Sequence, residues 1–156
     1  MIVADSTPLI AFARIGRLEL LERIVGHLIV PQAVFDEVAG AQTRPGSLEI
    51  PSARWLEVRA VESVPAELVR LIDHGECEVI ALAEQIAAEE VLIDERAARA
   101  VASARGLVVV GTAGLLVRAK VGGLLDAVAP VLEAMRSNGI RYSDRFVAEL
   151  LRGIGE

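Results

Sequence analysis

The sequence predicts an α/β protein, a three-layer α/β/α sandwich around a central, mostly parallel sheet. Three observations predict it. Short runs without a polar residue, Ile2–Ala4, Leu28–Val30, Val91–Ile93 and Leu107–Val110, have the length of strands, and apolar side chains at every position suit strands covered on both faces. Amphipathic helical patterns separate these runs, as βαβ units require. The chain has 156 residues, of which 53% are hydrophobic. That is enough for one compact core, and with no repeat, linker or low-complexity tract, residues 1–156 read as one domain.

Each element has a local cause. Ile2–Ala4 ends at Asp5, and Ser6-Thr7-Pro8 supplies a cap and an early-helix proline ahead of Leu9, Ile10 and Phe12. A second helix spans Arg17–Val25 and stops at Gly26. Pro31 opens a third after the strand Leu28–Val30, running through Val38 to Gly40. Ala41–Pro51, with Pro45, Gly46 and Ser47, reads as a surface loop, and Trp55–Val58 alternates weakly, as an edge strand does. Pro65 starts a short helix toward Ile72, and Gly75 a stronger one in which Ile80, Ala83 and Ala87 share a face. Glu95–Arg105 is a helix stopped by Gly106, and Gly111-Thr112 caps another that reaches Val121. Further helices cover Leu125–Ser137 and Ser143–Leu151, the last amphipathic through Tyr142, Phe146, Leu150 and Leu151 and suited to pack on the domain or on a second subunit.

Composition excludes several classes. Mean hydropathy is +0.48, yet no apolar run approaches the ~18 to 20 residues that span a bilayer. The start, Met1–Asp5, lacks the basic and apolar regions of a signal peptide, and the lone Cys77 has no internal disulfide partner, so the expected compartment is the cytoplasm. With 22 acidic and 16 basic residues the formal charge is −6, which argues against nucleic-acid capture by a diffuse positive surface. Aromatic residues make up 3%, which argues against base-by-base readout of a single strand.

The informative feature is the placement of four acids. Asp5 and Asp94 each follow an apolar strand at its carboxyl end, where parallel sheets place ligand sites. Glu76 opens a helix, and its spacing to Ile80 and Ala83 turns it toward the core. Glu37 lies beside Val34 and Val38 and can also point inward. Any one of these acids alone is explained as a cap or a dipole partner. Four together at one sheet edge would repel one another and raise their own pKa values without a cation. All-oxygen ligands suit Mg²⁺ or Mn²⁺, whereas Zn²⁺ would recruit His or Cys, and the chain offers only His27, His74 and Cys77. Such ions activate water for phosphodiester hydrolysis. Glu78 lies about 200° around the helix from Glu76 and reads as surface charge; Asp73 reads as a cap.

These residues resemble the PIN-domain family, and within it the compact bacterial and archaeal proteins related to VapC toxin ribonucleases. The resemblance rests on Val3–Ile10, Val30-Pro31 with Val34–Val38, Gly75–Ala83, Leu92–Arg99 and Val110–Leu116, in that order and spacing. It implies a Mg²⁺- or Mn²⁺-dependent endoribonuclease with Asp5, Glu37, Glu76 and Asp94 as metal ligands, and Ser6 and Thr112 as hydroxyl donors to water or phosphate. Many relatives have Asp where this chain has Glu76. The resemblance also implies an RNA substrate, a cognate antitoxin protein and a homodimer as partners, with no membrane.

Arg96 and Arg99 share a face of the helix after Asp94, where they either meet substrate phosphates or pair with Glu95. His74 reads as functionally neutral and Cys77 as a small buried apolar residue. Three other readings compete: a nucleotide-binding module using Gly111–Gly114, an aspartyl phosphotransferase with Asp5 as phosphoacceptor, and a catalytically silent scaffold acting through protein contacts. The first lacks both a dinucleotide fingerprint and a P-loop lysine. The second lacks a lysine near the sheet edge, since Lys120 is the only one.

Overall fold

The computed structural model describes residues 1–40 and 43–156. Five strands form one all-parallel sheet in the order β3-β2-β1-β4-β5. They are β1 (Ile2–Ala4), β2 (Leu28–Pro31), β3 (Leu56–Arg59), β4 (Glu90–Leu92) and β5 (Val109–Val110). Val3 lies between Ile29 and Val91, Val30 pairs with Val58, and Leu92 with Val110. Every residue of β2 is buried, as the unbroken apolar run requires, and β3 with its half-buried, alternating pattern takes an edge.

The helices described are α1 (Ser6–Arg14), α2 (Leu18–Val25), α3 (Gln32–Ala39), α4 (Ala66–Val69), α5 (His74–Gln85), α6 (Arg96–Ala104), α7 (Thr112–Val121), α8 (Ala129–Ser137) and α9 (Asp144–Gly153). They flank the sheet as the α/β/α sandwich requires. From β1 the chain steps through β2 to β3, then crosses back to β4 and outward to β5. Right-handed crossovers in opposite directions put their helices on opposite faces. In keeping with this, α1 packs against α2, α3, α7 and α8, while α5 packs against β1, β2 and β4. The core includes Phe12, Leu9, Ile29, Ile80, Leu92 and Leu115, each fully buried and worth roughly 1.5–3 kcal/mol by burial.

Three expectations need correction. α5 ends at Gln85, so Ala87, at φ +49°, lies beyond the helix whose face it was expected to share with Ile80 and Ala83. The helix expected over Leu125–Ser137 begins only at Ala129, because Pro130 has no N–H to donate and fits only the first turn. The loop 43–54 is not wholly superficial: Ser47 and Ile50 are buried. Gly46, at φ +88°, comes so close to α1 that a Cβ would lie 2.7 Å from the Ala13 Cβ, which anchors the loop on the core. Ala41 and Gln42 of that expected loop lie outside the described residues. Among the described residues no helix is long and apolar enough to cross a membrane.

Candidate active site

The reversal of strand order falls between β1 and β4, the position at which connections leave a parallel sheet in opposite directions and open a crevice beyond its carboxyl edge. Asp5 follows β1 directly and Asp94 follows β4 by two residues, and the Asp5 N–H donates to the Leu92 carbonyl at 3.0 Å. Two acids expected from the strand ends are thereby neighbours across one strand pair.

Asp5 is the N-cap residue of α1 and only 6% exposed. Burial pushes its carboxyl up to about 6; the Ser6 backbone N–H opposes this, while the charges of Glu37, Asp94 and Asp73 reinforce it. Glu76 is 8% exposed at the start of α5. Its Oε2 accepts from the Asp73 N–H at 3.0 Å, closing a capping box with the Asp73 side chain. Burial pushes Glu76 up to about 7, against that hydrogen bond and with the charges of Asp5, Glu95 and Asp73 adding to the rise. Glu37 is exposed on α3, which packs against α5, and its charge is felt at Asp5. A Cβ added at Gly75 would lie 4.0 Å from the Glu37 Oε2, so glycine there leaves the α5 N-terminus open toward this carboxylate.

Asp94 is held at the N-terminus of α7. The Thr112 N–H donates to its Oδ1 at 2.8 Å and the Thr112 hydroxyl to its Oδ2 at 2.5 Å. Thr112 is fully buried. Its hydroxyl is spent on Asp94, so it positions that acid rather than reaching water or phosphate. Ser6 is likewise buried, at the first position of α1 beside Asp5. A Cβ on Gly111 would stand 2.8 Å from the Arg99 Nη1 and 3.1 Å from the Asp94 Oδ1, so glycine at the turn into α7 lets these two side-chain tips sit where they do.

The arginines divide. Arg99 donates to the Ile93 carbonyl at 2.7 Å and is drawn back to the end of β4. Arg96 is exposed. Neither pairs with Glu95, whose side chain caps α6 by accepting from the Ala98 N–H at 2.8 Å. Glu78 is not plain surface charge: its Oε2 accepts from the Ala33 N–H of α3 at 3.1 Å and His74 approaches the other oxygen at 3.2 Å. Cys77 is buried, its thiol donating to the Ile72 carbonyl at 3.6 Å.

Sequence reasoning missed three residues of this region. Tyr142, Phe146 and Arg141 line a groove of about 1020 Å³ that also contains Asp94, Arg96 and Arg99. The available signal was Ser143 as a cap four residues after Gly139, which sets where α9 begins and what its first turn presents. The Tyr142 hydroxyl is buried beside Asp94, the Thr112 side chain and the Ala113 backbone. Burial and the Asp94 charge raise its pKa.

The donor set of Asp5, Glu37, Glu76 and Asp94 suits a hard divalent cation: oxygen only, with no ion pair to any of them among the described residues. Among those residues no three acidic, His or Cys side chains stand as a ready-made metal cluster. In this arrangement the Asp73 N–H holds Glu76, Thr112 holds Asp94, and Glu37 is exposed on α3.

The same bonds weigh against two competing readings. Asp94 already fills the α7 N-terminus where a phosphate loop would hold its ligand. Lys120 pairs with Glu156 at 2.8 Å, so it is engaged elsewhere than at Asp5. A family model described as PIN domain (DUF3368) matches residues 1–156. A comparison with curated proteins found no match.

Proposed function

The chain belongs to the PIN-domain family, a nuclease-type fold, and from that premise we propose that it is a divalent-metal-dependent endoribonuclease. The observation that carries the reading is Asp5: a buried carboxylate surrounded by acids, with no cation of the chain beside it. A buried charge is tolerated only when compensated, and the missing compensation here is positive. Asp5, Glu76 and Asp94 would hold Mg²⁺ or Mn²⁺, with Glu37 reaching in from α3. The bound ion supplies a nucleophile from water at neutral pH and stabilises the charge that develops on the phosphate.

The chain's own residues do the rest. Asp94 is kept in one orientation by two hydrogen bonds from Thr112, so no rotamer search precedes binding. The Asp73 N–H fixes Glu76 in the same way. Arg96, exposed at the start of α6 and lining one groove with Asp94, draws an RNA phosphate toward the acids that would otherwise repel it. Toxicity under control of a cognate antitoxin, and a homodimer, belong to the same proposal and rest on the family resemblance alone.

The capping roles of Glu76 and Asp94 favour a second reading, a PIN-like scaffold that acts through protein contacts. One experiment separates the two. The purified chain is incubated with labelled single-stranded RNA in Mg²⁺, Mn²⁺ or excess chelator, beside Asp5→Asn. Cleavage that requires metal and is lost in the variant supports the nuclease; no cleavage by the parent under any metal supports the scaffold.

A further inference from the structure

Five residues of the chain are aromatic, and two of them meet beside the candidate site. The rings of Tyr142 and Phe146 stack with centroids 5.4 Å apart and planes 19° from parallel. Phe146 is 41% exposed, although it is a large apolar residue next to a polar site. Its place is set locally: the Ser143 hydroxyl accepts from the Phe146 N–H at 3.1 Å and starts α9 there. The segment before it is tied down by the Arg14 Nη1, which donates to the Asn138 carbonyl at 3.2 Å.

The charge of the same groove runs against that of the whole chain. Its lining carries Arg96, Arg99 and Arg141 against Asp94 and Glu95, in a protein of net charge −6. Arg96 and Arg141 make no ion pair among the described residues, whereas the nearby Arg136 and Arg145 are held by Asp144 and Glu149. An apolar ring face backed by a second ring, flanked by two uncommitted guanidinium groups and reaching Asp94 of the candidate site, matches the alternation of base and phosphate in a single strand.

We propose that this groove seats single-stranded RNA next to the scissile phosphate, with Phe146, backed by Tyr142, as a platform for one base and with Arg96 and Arg141 on the adjoining phosphates. The inference rests on the ribonuclease reading and names how that site takes its substrate. Low aromatic content therefore does not exclude stacking here, because the few rings are concentrated where the strand would lie.

The test measures binding of a fluorescent single-stranded octaribonucleotide to the full chain in excess chelator, where metal-dependent cleavage is silent. Phe146→Leu keeps apolar bulk and removes the ring, and binding is expected to weaken about tenfold. Phe146→Trp is expected to restore it, which a merely structural role would not do. Arg141→Ala is expected to weaken binding by a similar factor and to flatten its salt dependence. Equal affinity for the parent and Phe146→Leu, or no binding by the parent, overturns the proposal. Weakening by Arg141→Ala alone also overturns it, because the groove then holds phosphate without a base. Cleavage assays with Mn²⁺ run in parallel keep the two readings apart: RNA binding that depends on Phe146 without any cleavage sinks the nuclease, and metal-dependent cleavage indifferent to Phe146 sinks the groove.

Discussion

The two ends of the sheet treat acidic residues in opposite ways. At the amino end of β4, Glu90 takes both guanidinium nitrogens of Arg118, at 2.7 and 2.8 Å, and that pairing holds its carboxyl below the usual range. Glu84 has a comparable partner in Arg105, and Glu156 in Lys120. At the carboxyl end Asp5 and Glu76 are more deeply buried and face other acids, and both are pushed up. Arg96 and Arg141 make no ion pair among the described residues, so the lack of a partner at one end is a property of that site rather than a shortage of cations. Acids with basic partners serve the fold; under the proposed function, the acids left without them are the ones that would take a cation from outside.

Substitutions at the two ends should therefore have opposite signatures. Asp5→Asn is expected to reduce RNA cleavage by at least about a hundredfold while raising the melting temperature of the metal-free chain at pH 8 by roughly 3 °C, since Asn caps a helix as well as Asp and carries no buried charge. A thermal melt and a cleavage assay on one preparation check both; a lower melting temperature with activity intact would break the contrast. Thr112→Val removes the hydroxyl that donates to Asp94 and leaves that carboxylate less fixed, so cleavage should fall about tenfold and stability by about 1 kcal/mol in denaturant unfolding. Gly111→Ala pushes only on the tips of Arg99 and Asp94. Cleavage should drop severalfold with little change in unfolding midpoint. Glu90→Gln gives the reverse and smallest signature: about 0.5 kcal/mol of stability lost, measured by unfolding, and cleavage unchanged.

pH sharpens the same contrast. Asp5 and Glu76 rise to about 6 and about 7 from ordinary values of 3.8 and 4.5. Between about pH 4 and pH 7 the folded chain holds protons that the unfolded chain has released, so these groups make stability greatest below that window and diminish it as pH climbs through it. A divalent ion competes with those protons. Added Mn²⁺ should raise the melting temperature more at pH 8 than at pH 5.5; an equal rise at both would place the ion away from these acids.

Much of the fold was legible because its causes are local. Unbroken apolar runs mark β1 and β2 and, one residue out of register, β4, and Asp73 caps α5 as its position requires, whereas Glu95, read as the first residue of α6, is its cap. The placement of Asp5 and Asp94 at adjacent strand ends followed from the same pattern. Periodicity reports which side of an element a residue occupies and not where its polar tip ends. The Thr112 hydroxyl, read as a phosphate donor, is taken by a carboxylate 18 residues earlier, and Glu78 caps a helix 45 residues away. Composition is silent for the same reason: an average of 3% aromatic residues does not tell that two rings meet in one groove.

The central claim is that the acids left without partners at the carboxyl edge of the sheet await a divalent cation. Titration of Mn²⁺ into the full chain at pH 8, followed by loss of the free-ion electron paramagnetic resonance signal, tests it without any substrate. Saturable binding that weakens at least about tenfold in Asp5→Asn and is unchanged in Glu90→Gln is the predicted result. No binding by the parent, or equal binding by Asp5→Asn, would contradict it.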